Sequence, residues 1–342
     1  MNFASDNASR AAPEIIAALQ AANTGPAMPY GADGWTERLT ARFSALFEAE
    51  VAVFPVATGT AANALALSAL VPPFGAILAH PHAHIVEDEC GAPEFFTGGA
   101  KFLTVDGADG KMPPAGLEAA IGDAGIGFVH HVQPASIGIS QTTEAGTVYA
   151  PDEIRAISGI ARKHGLRLHM DGARFANAVA ALGCSPAEAT WRAGVDVLSF
   201  GATKNGALGA EAVIFFDLGL ARDFPYRRKR GGHLLSKQRF VSAQLLAYLN
   251  DDLWLRNARH ANAMARRLAD GLAKAPGARL VHPVQSNMVF VELPESAIVR
   301  LLNRGFRFYR WRADTSTTLR LVTAFDTEAT DVDAFIAVGS RA

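Results

Sequence analysis

Seven apolar segments of strand length recur between helical stretches in the first two-thirds of the chain, at 51–56, 76–79, 101–105, 127–132, 166–170, 195–200 and 212–216. Their hydrophobicity is continuous rather than alternating, the pattern of strands covered on both faces. Such strands need helices on each side, which restricts the chain to an α/β fold on a mostly parallel sheet. Helices are expected at 60–70, entered through Gly59 and Thr60, and at 151–163, where Pro151 suits the first turn and Asp152 and Glu153 its positive end. Binding sites on sheets of this kind lie at the carboxyl ends of the strands.

From 234 to 274 the pattern turns helical, and shorter β runs follow at 279–282, 288–293, 306–311 and 318–323. The shift points to a large domain over 1–247 and a smaller C-terminal α+β domain over 248–342. Thirty-two Lys plus Arg against 33 Asp plus Glu give a net charge of -1, so nucleic acid and anionic membranes are poor partners and a small molecule fits better. The basic run Arg227, Arg228, Lys229, Arg230 reads as a solvated face. Cys90 and Cys184 are too few for a disulfide framework and suit a reducing cytoplasm. The first ten residues lack the basic and apolar stretches of a signal peptide, and adjacent Pro72 and Pro73 interrupt the most apolar long window. A soluble cytoplasmic chain, mature at Met1, is expected.

Three segments at strand ends carry chemistry. The first, 57–63, reads Ala-Thr-Gly-Thr-Ala-Ala-Asn; free N–H groups at a helix start, a close-approach glycine and the Thr60 hydroxyl can hold a phosphate, or simply cap a helix. It lacks the lysine of a nucleotide P-loop and the three glycines of a dinucleotide fingerprint. The second, 169–174, reads His-Met-Asp-Gly-Ala-Arg. Asp171 can pair with Arg174 in a salt bridge, or face a protonated ring nitrogen and leave Arg174 for a substrate carboxylate. The third, 199–206, places Lys204 beside a buried strand, where a desolvated amine can form a Schiff base, although a solvent-reaching lysine is the commoner case. An anion loop, an acid and a lysine in this order satisfy the phosphate, pyridinium and aldehyde of pyridoxal 5'-phosphate.

With these motifs the chain resembles the L-threonine aldolases, pyridoxal-phosphate enzymes of the aspartate aminotransferase fold (fold type I). The likeness runs from Ser5-Asp6 through Tyr30-Gly31-Ala32-Asp33, the phosphate turn, His84 with Glu89 five residues later, and His169 to Arg174, as far as Arg320-Leu321-Val322-Thr323. The resemblance implies that His84 stacks on the cofactor ring, Asp171 pairs with its nitrogen, Lys204 carries the cofactor and Gly59 and Thr60 hold the phosphate. It implies further that Ser5, Arg174 and Arg320 hold the substrate carboxylate. The substrate would be a β-hydroxy-α-amino acid, threonine, allo-threonine or phenylserine, cleaved to glycine and an aldehyde. Tyr30 would reach a neighbouring subunit's site, in a dimer of shared sites and commonly a tetramer.

The chain departs from many members where they read Glu-Asn-Thr-His-Asn. Here 141–146 reads Gln-Thr-Thr-Glu-Ala-Gly, so Glu144 replaces the histidine that approaches the β-hydroxyl, and His84, Glu144 or a water remain as candidate bases. Arg228 or Lys229 matches a family segment that reaches the phosphate. Competing functions are another pyridoxal reaction, β-elimination or transamination, and a metal hydrolase built on His80, His82 and His84 with Glu87, Asp88 and Glu89. The hydrolase leaves Lys204 and Asp171 without a use. A non-catalytic binding protein on the same fold leaves the whole Lys, Asp and Arg set without one.

Overall fold

The apolar runs assemble into a seven-stranded sheet in a computed structural model that describes residues 1–313 and 315–341. Its strands are β1 (Ala52–Val56), β2 (Gly75–Ala79), β3 (Lys101–Thr104), β4 (Gln133–Ser140), β5 (Arg167–Gly172), β6 (Val197–Gly201) and β7 (Glu211–Phe215). They lie in the order β1-β7-β6-β5-β4-β2-β3. Only β7 opposes its neighbours, pairing antiparallel with β1 and β6, while the pairs from β6 to β3 are parallel. The expected mostly parallel α/β sheet is therefore present.

Side chains leave the sheet alternately for two separate cores, as the strand period of two requires. Along β6, Val197 joins Leu65, Ile77 and Phe224 on one face, whereas Leu198 and Phe200 join Phe43, Phe47 and Trp254 on the other. Burying each such side chain contributes about 1.5–3 kcal/mol. The helix Gly59–Leu70 reads Gly-Thr-Ala-Ala-Asn-Ala-Leu-Ala-Leu-Ser-Ala-Leu and is buried from Ala61 to Ser68. Its small residues let it pack close against the sheet, which brings Asn63 within reach of the strand ends.

One expected strand is displaced. Residues 127–132 form an exposed turn, with Phe128 52% and Val129 88% exposed, closed by the His131 N–H donating to the Phe128 carbonyl at 3.0 Å. The strand begins just beyond, at Gln133. Its sequence, Gln-Pro-Ala-Ser-Ile-Gly-Ile-Ser, confines its large apolar residues to Ile137 and Ile139, and at Gly138 it is packed too closely for a side chain. A Cβ on Gly138 would come within 2.9 Å of Ile85 Cδ1. His130 and His131 belong to that turn and not to a strand.

The later β runs form a four-stranded antiparallel sheet of β8 (Arg279–Leu280), β9 (Met288–Glu292), β10 (Tyr309–Arg310) and β11 (Thr318–Val322), in the order β10-β11-β9-β8. Leu268, Leu272, Val289, Leu319 and Phe335 build its core, and Phe3 belongs to it as well. The helix Leu253–Leu272 serves both units, since its Leu253 and Trp254 lie in the core of the large sheet. The N-terminal segment runs beside β11: the Phe3 carbonyl accepts the Val322 N–H at 2.8 Å, and the Phe3 N–H donates to Arg307 O at 2.7 Å. This delivers Ser5 and Asp6 to the strand ends of the large sheet. Among the described residues no helix is long and apolar enough to cross a membrane.

Candidate active site

A cavity of about 240 Å³ opens where the carboxyl ends of β4, β5 and β6 meet the start of the helix Gly59–Leu70 and the strand β11. Lys204 enters it from a short helical turn, Thr203–Asn205, directly after β6. That turn is fixed from below. Asn205 donates to the Tyr248 hydroxyl at 2.7 Å and to Trp254 O at 2.8 Å, and its own carbonyl accepts from Asn257 at 2.9 Å. Gly201 is required, because a Cβ there would sit 2.5 Å from the Ala173 carbonyl oxygen; the lysine loop and the Asp171 loop touch at that point. Burial, reinforced by the nearby Arg174 charge, lowers the Lys204 pKa from the ordinary 10.5.

At the end of β5, Asp171 accepts from the Ala173 N–H at 2.9 Å and from Asn63 Nδ2 at 2.8 Å. The same Asn63 nitrogen donates to Glu89 Oε1 at 2.9 Å, and that oxygen also pairs with His84 Nδ1 at 2.9 Å. The bond to Glu89 raises the His84 pKa above 6.5, and burial raises that of Glu89. Glu89 Oε2 and Asn63 Oδ1 are buried with no hydrogen-bond partner among the described residues, so the cluster retains unused acceptors. His169, two residues before Asp171, is structural: it meets Ser199 Oγ at 2.9 Å, and burial pushes its pKa down to about 4, keeping it neutral.

Arg174 does not pair with Asp171. Its guanidinium holds Asp6 through two bonds of 2.7 and 2.8 Å, and Asn287 adds a third to that carboxylate at 3.0 Å. Burial alone would raise the Asp6 pKa, but the Arg174 charge and hydrogen bonds outweigh it and hold the group below 3.8. A depressed carboxyl stabilises the fold above its unfolded pKa, and that stabilisation disappears as pH falls through the lower folded value. Asp6→Ala leaves Arg174 buried without its partner and is expected to destabilise the protein by about 3–5 kcal/mol. Urea denaturation at neutral pH measures this; a loss under about 1 kcal/mol would contradict a coupled pair.

With Arg174 occupied, Arg320 is the open cation. It projects from β11 into the cavity, contacts Met288 Sδ at 3.6 Å and lies 5.8 Å from the centre of the Trp311 ring. Burial, with the Arg174 charge second, pushes its pKa down to about 10, and among the described residues it has no carboxylate partner. Across the cavity Thr58 caps the helix by accepting the Ala61 N–H at 3.1 Å. Gly59 and Thr60 line the cavity ahead of that cap, with nothing within 4 Å of a Cβ built on Gly59. An open helix start of this kind suits an anion.

Glu144 stands on a rigid loop after β4. Thr143 and Thr147 share a hydroxyl bond of 2.8 Å, Gln141 clasps the Tyr149 backbone at 2.8 and 3.0 Å, and Ser286 Oγ donates to Gly146 O at 2.9 Å. Glu144 Oε1 accepts from the His84 N–H at 2.9 Å and from Ser140 Oγ at 2.8 Å. Its Oε2 has no partner among the described residues, and burial raises its pKa above 4.5.

The sequence profile of the beta-eliminating lyases matches residues 2–295. The chain belongs to this family. This lyase is 48% identical over 327 residues to the low specificity L-threonine aldolase of Pseudomonas sp. (strain NCIMB 10558), a match covering 95% of this chain and 93% of the relative. It superposes on the threonine aldolase of Leishmania major with a TM-score of 0.92 at 30% identity, over 98% of each chain. An aspartate aminotransferase from Rhodobacter sphaeroides shares the fold at a TM-score of 0.69 and 18% identity, over 99% of this chain and 90% of the other. The expected fold type I architecture is thereby established.

Nine residues singled out in the lyase sequence line the one cavity: Ser5, Gly59, Thr60, His84, Glu144, Asp171, Arg174, Lys204 and Arg320. Tyr30, Arg228 and Lys229 do not. Lys229 lies 4.8 Å from the centre of the exposed Tyr30 ring, while Arg228 is buried, donates to Pro55 O at 3.2 Å and lies against Phe54. The triad His80, His82 and His84 also disperses, to Gly107 O, Glu87 and Glu89 respectively, and His80 is buried rather than a partly exposed loop residue. Sequence reasoning missed Asp6 as the partner of Arg174, Asn63 as a bridge, and Ser140, Thr142 and Trp311 as lining. A one-residue offset from Ser5 was the available signal for Asp6; Trp311 gave none beyond closing the expected β run 306–311, where its N–H donates to the Thr318 carbonyl at 2.7 Å.

Proposed function

We propose that this chain cleaves L-threonine and related β-hydroxy-α-amino acids to glycine and an aldehyde, with pyridoxal 5'-phosphate as cofactor. The observation that carries this function is one cavity holding the Lys204 amine, the Asp171 carboxylate, an open helix start and an Arg320 with no carboxylate partner among the described residues. The donor set fits the cofactor: Gly59 and Thr60 would hold its phosphate, Asp171 its ring nitrogen, His84 its ring and Lys204 its aldehyde. Glu89 Oε2, buried without a partner among the described residues and lining the same cavity as Asp171, leaves an acceptor for a protonated ring nitrogen. When bound, the cofactor supplies an electron sink for the pair released at Cα.

The protein's own groups then set which bond breaks. Arg320, with Ser5 and the Asp6-braced Arg174, holds the α-carboxylate and so orients the bond from Cα to Cβ. The β-hydroxyl proton must leave as that bond breaks, and Glu144 Oε2 is the free acceptor. His84, whose Nδ1 pairs with Glu89, is the second candidate through Nε2. A carboxyl with a raised pKa is a stronger base, but it loses this capacity as pH falls through that raised value. Activity is thus expected to fall on the acid side above pH 4.5. Glu144→Gln should lower kcat by about 10²–10⁴-fold and abolish that acid limb. A kcat–pH profile of both proteins checks this; an unchanged limb would move the base elsewhere.

The function is tested by incubating the holoenzyme with L-threonine and identifying products. Glycine and acetaldehyde in equal amounts support aldol cleavage, whereas 2-oxobutyrate with ammonia would mean β-elimination. The same proposal places Tyr30 and Lys229, which stand outside this chain's own cavity, at the cavity of a second copy, within a cytoplasmic homotetramer. Their support is the exposure of Tyr30 and the cation held over its ring.

A further inference from the structure

Glu211 is the first residue of β7, 6% exposed, and stands outside the cavity that Lys204 enters. It lies opposite Gly201, the last residue of β6, on one side and opposite Val56, the last residue of β1, on the other. It therefore sits between the strand that leads to Lys204 and the strand that leads to the helix start at Gly59. Its Oε2 accepts the Ala202 N–H at 2.8 Å, and Thr203 hydrogen-bonds to the same carboxylate. The Thr203 hydroxyl in turn accepts the Ala210 N–H at 3.2 Å, and Gln244 Oε1 accepts the N–H groups of Leu208 and Gly209 at 3.0 and 3.2 Å. One carboxylate thus joins the start of the lysine loop to its end.

A carboxylate is a costly choice for that place. Burial raises its pKa to about 7, and a glutamine would offer the same acceptor to Ala202 with no charge to desolvate. The cation that the charge acts on is Lys204, which stabilises the ionised carboxylate in return. Three carboxylates, those of Asp6, Asp171 and Glu211, favour the Lys204 ammonium against burial and the Arg174 charge. Two of them are committed elsewhere: Asp6 is held by Arg174 and Asn287, and Asp171 serves the ring nitrogen in the proposed function. The other titratable group beside Glu211 is the Tyr248 phenol, which burial and the Glu211 charge keep neutral.

We propose that Glu211 is a positioning residue of the reaction, whose carboxylate ties the backbone ahead of Lys204 to β7 and serves as the buried counter-charge of the Lys204 ammonium whenever that amine is free. The inference rests on the proposed function in taking Lys204 as the amine that bonds the cofactor. Lys204 Nζ takes up a proton when it is free and must give it up to bond again. The carboxylate that balances this charge therefore sets the pH at which the lysine is competent. Ionised Glu211 favours the ammonium, and protonated Glu211 releases the amine.

The test reads Lys204 in the full-length apoprotein, without turnover. Trace labelling with acetic anhydride across a pH series, followed by peptide mass spectrometry, gives the labelling rate of Lys204 beside that of Lys101, which is exposed on the edge strand β3. In the wild type the logarithm of the Lys204 rate should rise with unit slope, flatten near pH 7 where Glu211 ionises, and climb again to its plateau. Glu211→Gln keeps the acceptor for Ala202 and removes the charge. It should give a single unit-slope rise to an earlier plateau, with the Lys204 rate raised about threefold or more at about pH 8 and that of Lys101 unchanged. A clasp that acted through its hydrogen bonds alone would not imprint its own titration on the amine. A wild-type profile with no inflection, or a variant profile that coincides with the wild type, therefore overturns the proposal, and the wild-type series decides even where the variant fails to fold. An inflection that the variant loses supports the pair whether or not the holoenzyme cleaves L-threonine. Glycine and acetaldehyde from a wild type that lacks the inflection would uphold the aldolase function and overturn the pair.

Discussion

Lys204→Ala is expected to reduce threonine cleavage by about four orders of magnitude or more and to leave the protein unable to retain a yellow cofactor chromophore. The magnitude follows from the absence of any substitute. Among the described residues Lys204 is the only lysine lining the cavity, and its amine is pre-set for attack, because burial and the Arg174 charge shift it toward the neutral form. A lysine pKa lowered from 10.5 means that the competent amine appears at lower pH. Capture of pyridoxal phosphate by apoprotein should therefore rise with pH and level off below 10.5. Fold should survive, since the loop is held by Asn205 against Tyr248 and Trp254 and not by the lysine itself. Turnover, visible absorption and peptide mapping after borohydride reduction check the prediction. A variant with normal colour and normal turnover would place the covalent site elsewhere.

The elements that this site depends on differ in how far they were legible. Strands β1, β2, β5, β6 and β7 announce themselves as mostly apolar runs, because both faces are covered, even where His169 interrupts β5 and Ser199 interrupts β6. β4 does not, although it carries Ser140 and leads to Glu144. It is crowded by Ile85, so its residues are small, and the apolar signal falls instead on the exposed turn that precedes it. The charged residues of the site were readable for a related reason: a lysine or aspartate at the end of a buried strand is costly unless it is used. Pairings were not readable. That Arg174 turns to Asp6, 168 residues away in sequence, follows from the N-terminal segment threading beside β11, and no local pattern encodes that path. Trp311 is visible only once β10 and β11 place it beside Arg320.

Asp171→Asn is expected to keep the fold and lose about 10²–10³-fold in kcat, with a smaller change in KM for threonine. Both carboxylate oxygens of Asp171 already accept hydrogen bonds, from Ala173 N–H and from Asn63 Nδ2. An asparagine can offer only one acceptor oxygen, so its amide must oppose one of these donors. Keeping the Ala173 bond turns its NH₂ toward the NH₂ of Asn63, which must then rotate and release Glu89. The variant therefore loses the negative charge facing the ring nitrogen and disturbs the bridge that aligns His84. Local cost is about 1–3 kcal/mol, small beside the stability of a chain with three large cores. Glu89 provides the internal control, since it lines the same cavity and its Oε2 has no partner among the described residues. Glu89→Gln should weaken activity less than Asp171→Asn, because its amide oxygen can still accept from Asn63 and His84 while the Asp171 carboxylate stays in place. The reverse order, with Asp171→Asn fully active, would assign the ring nitrogen to Glu89 and make Asp171 the brace.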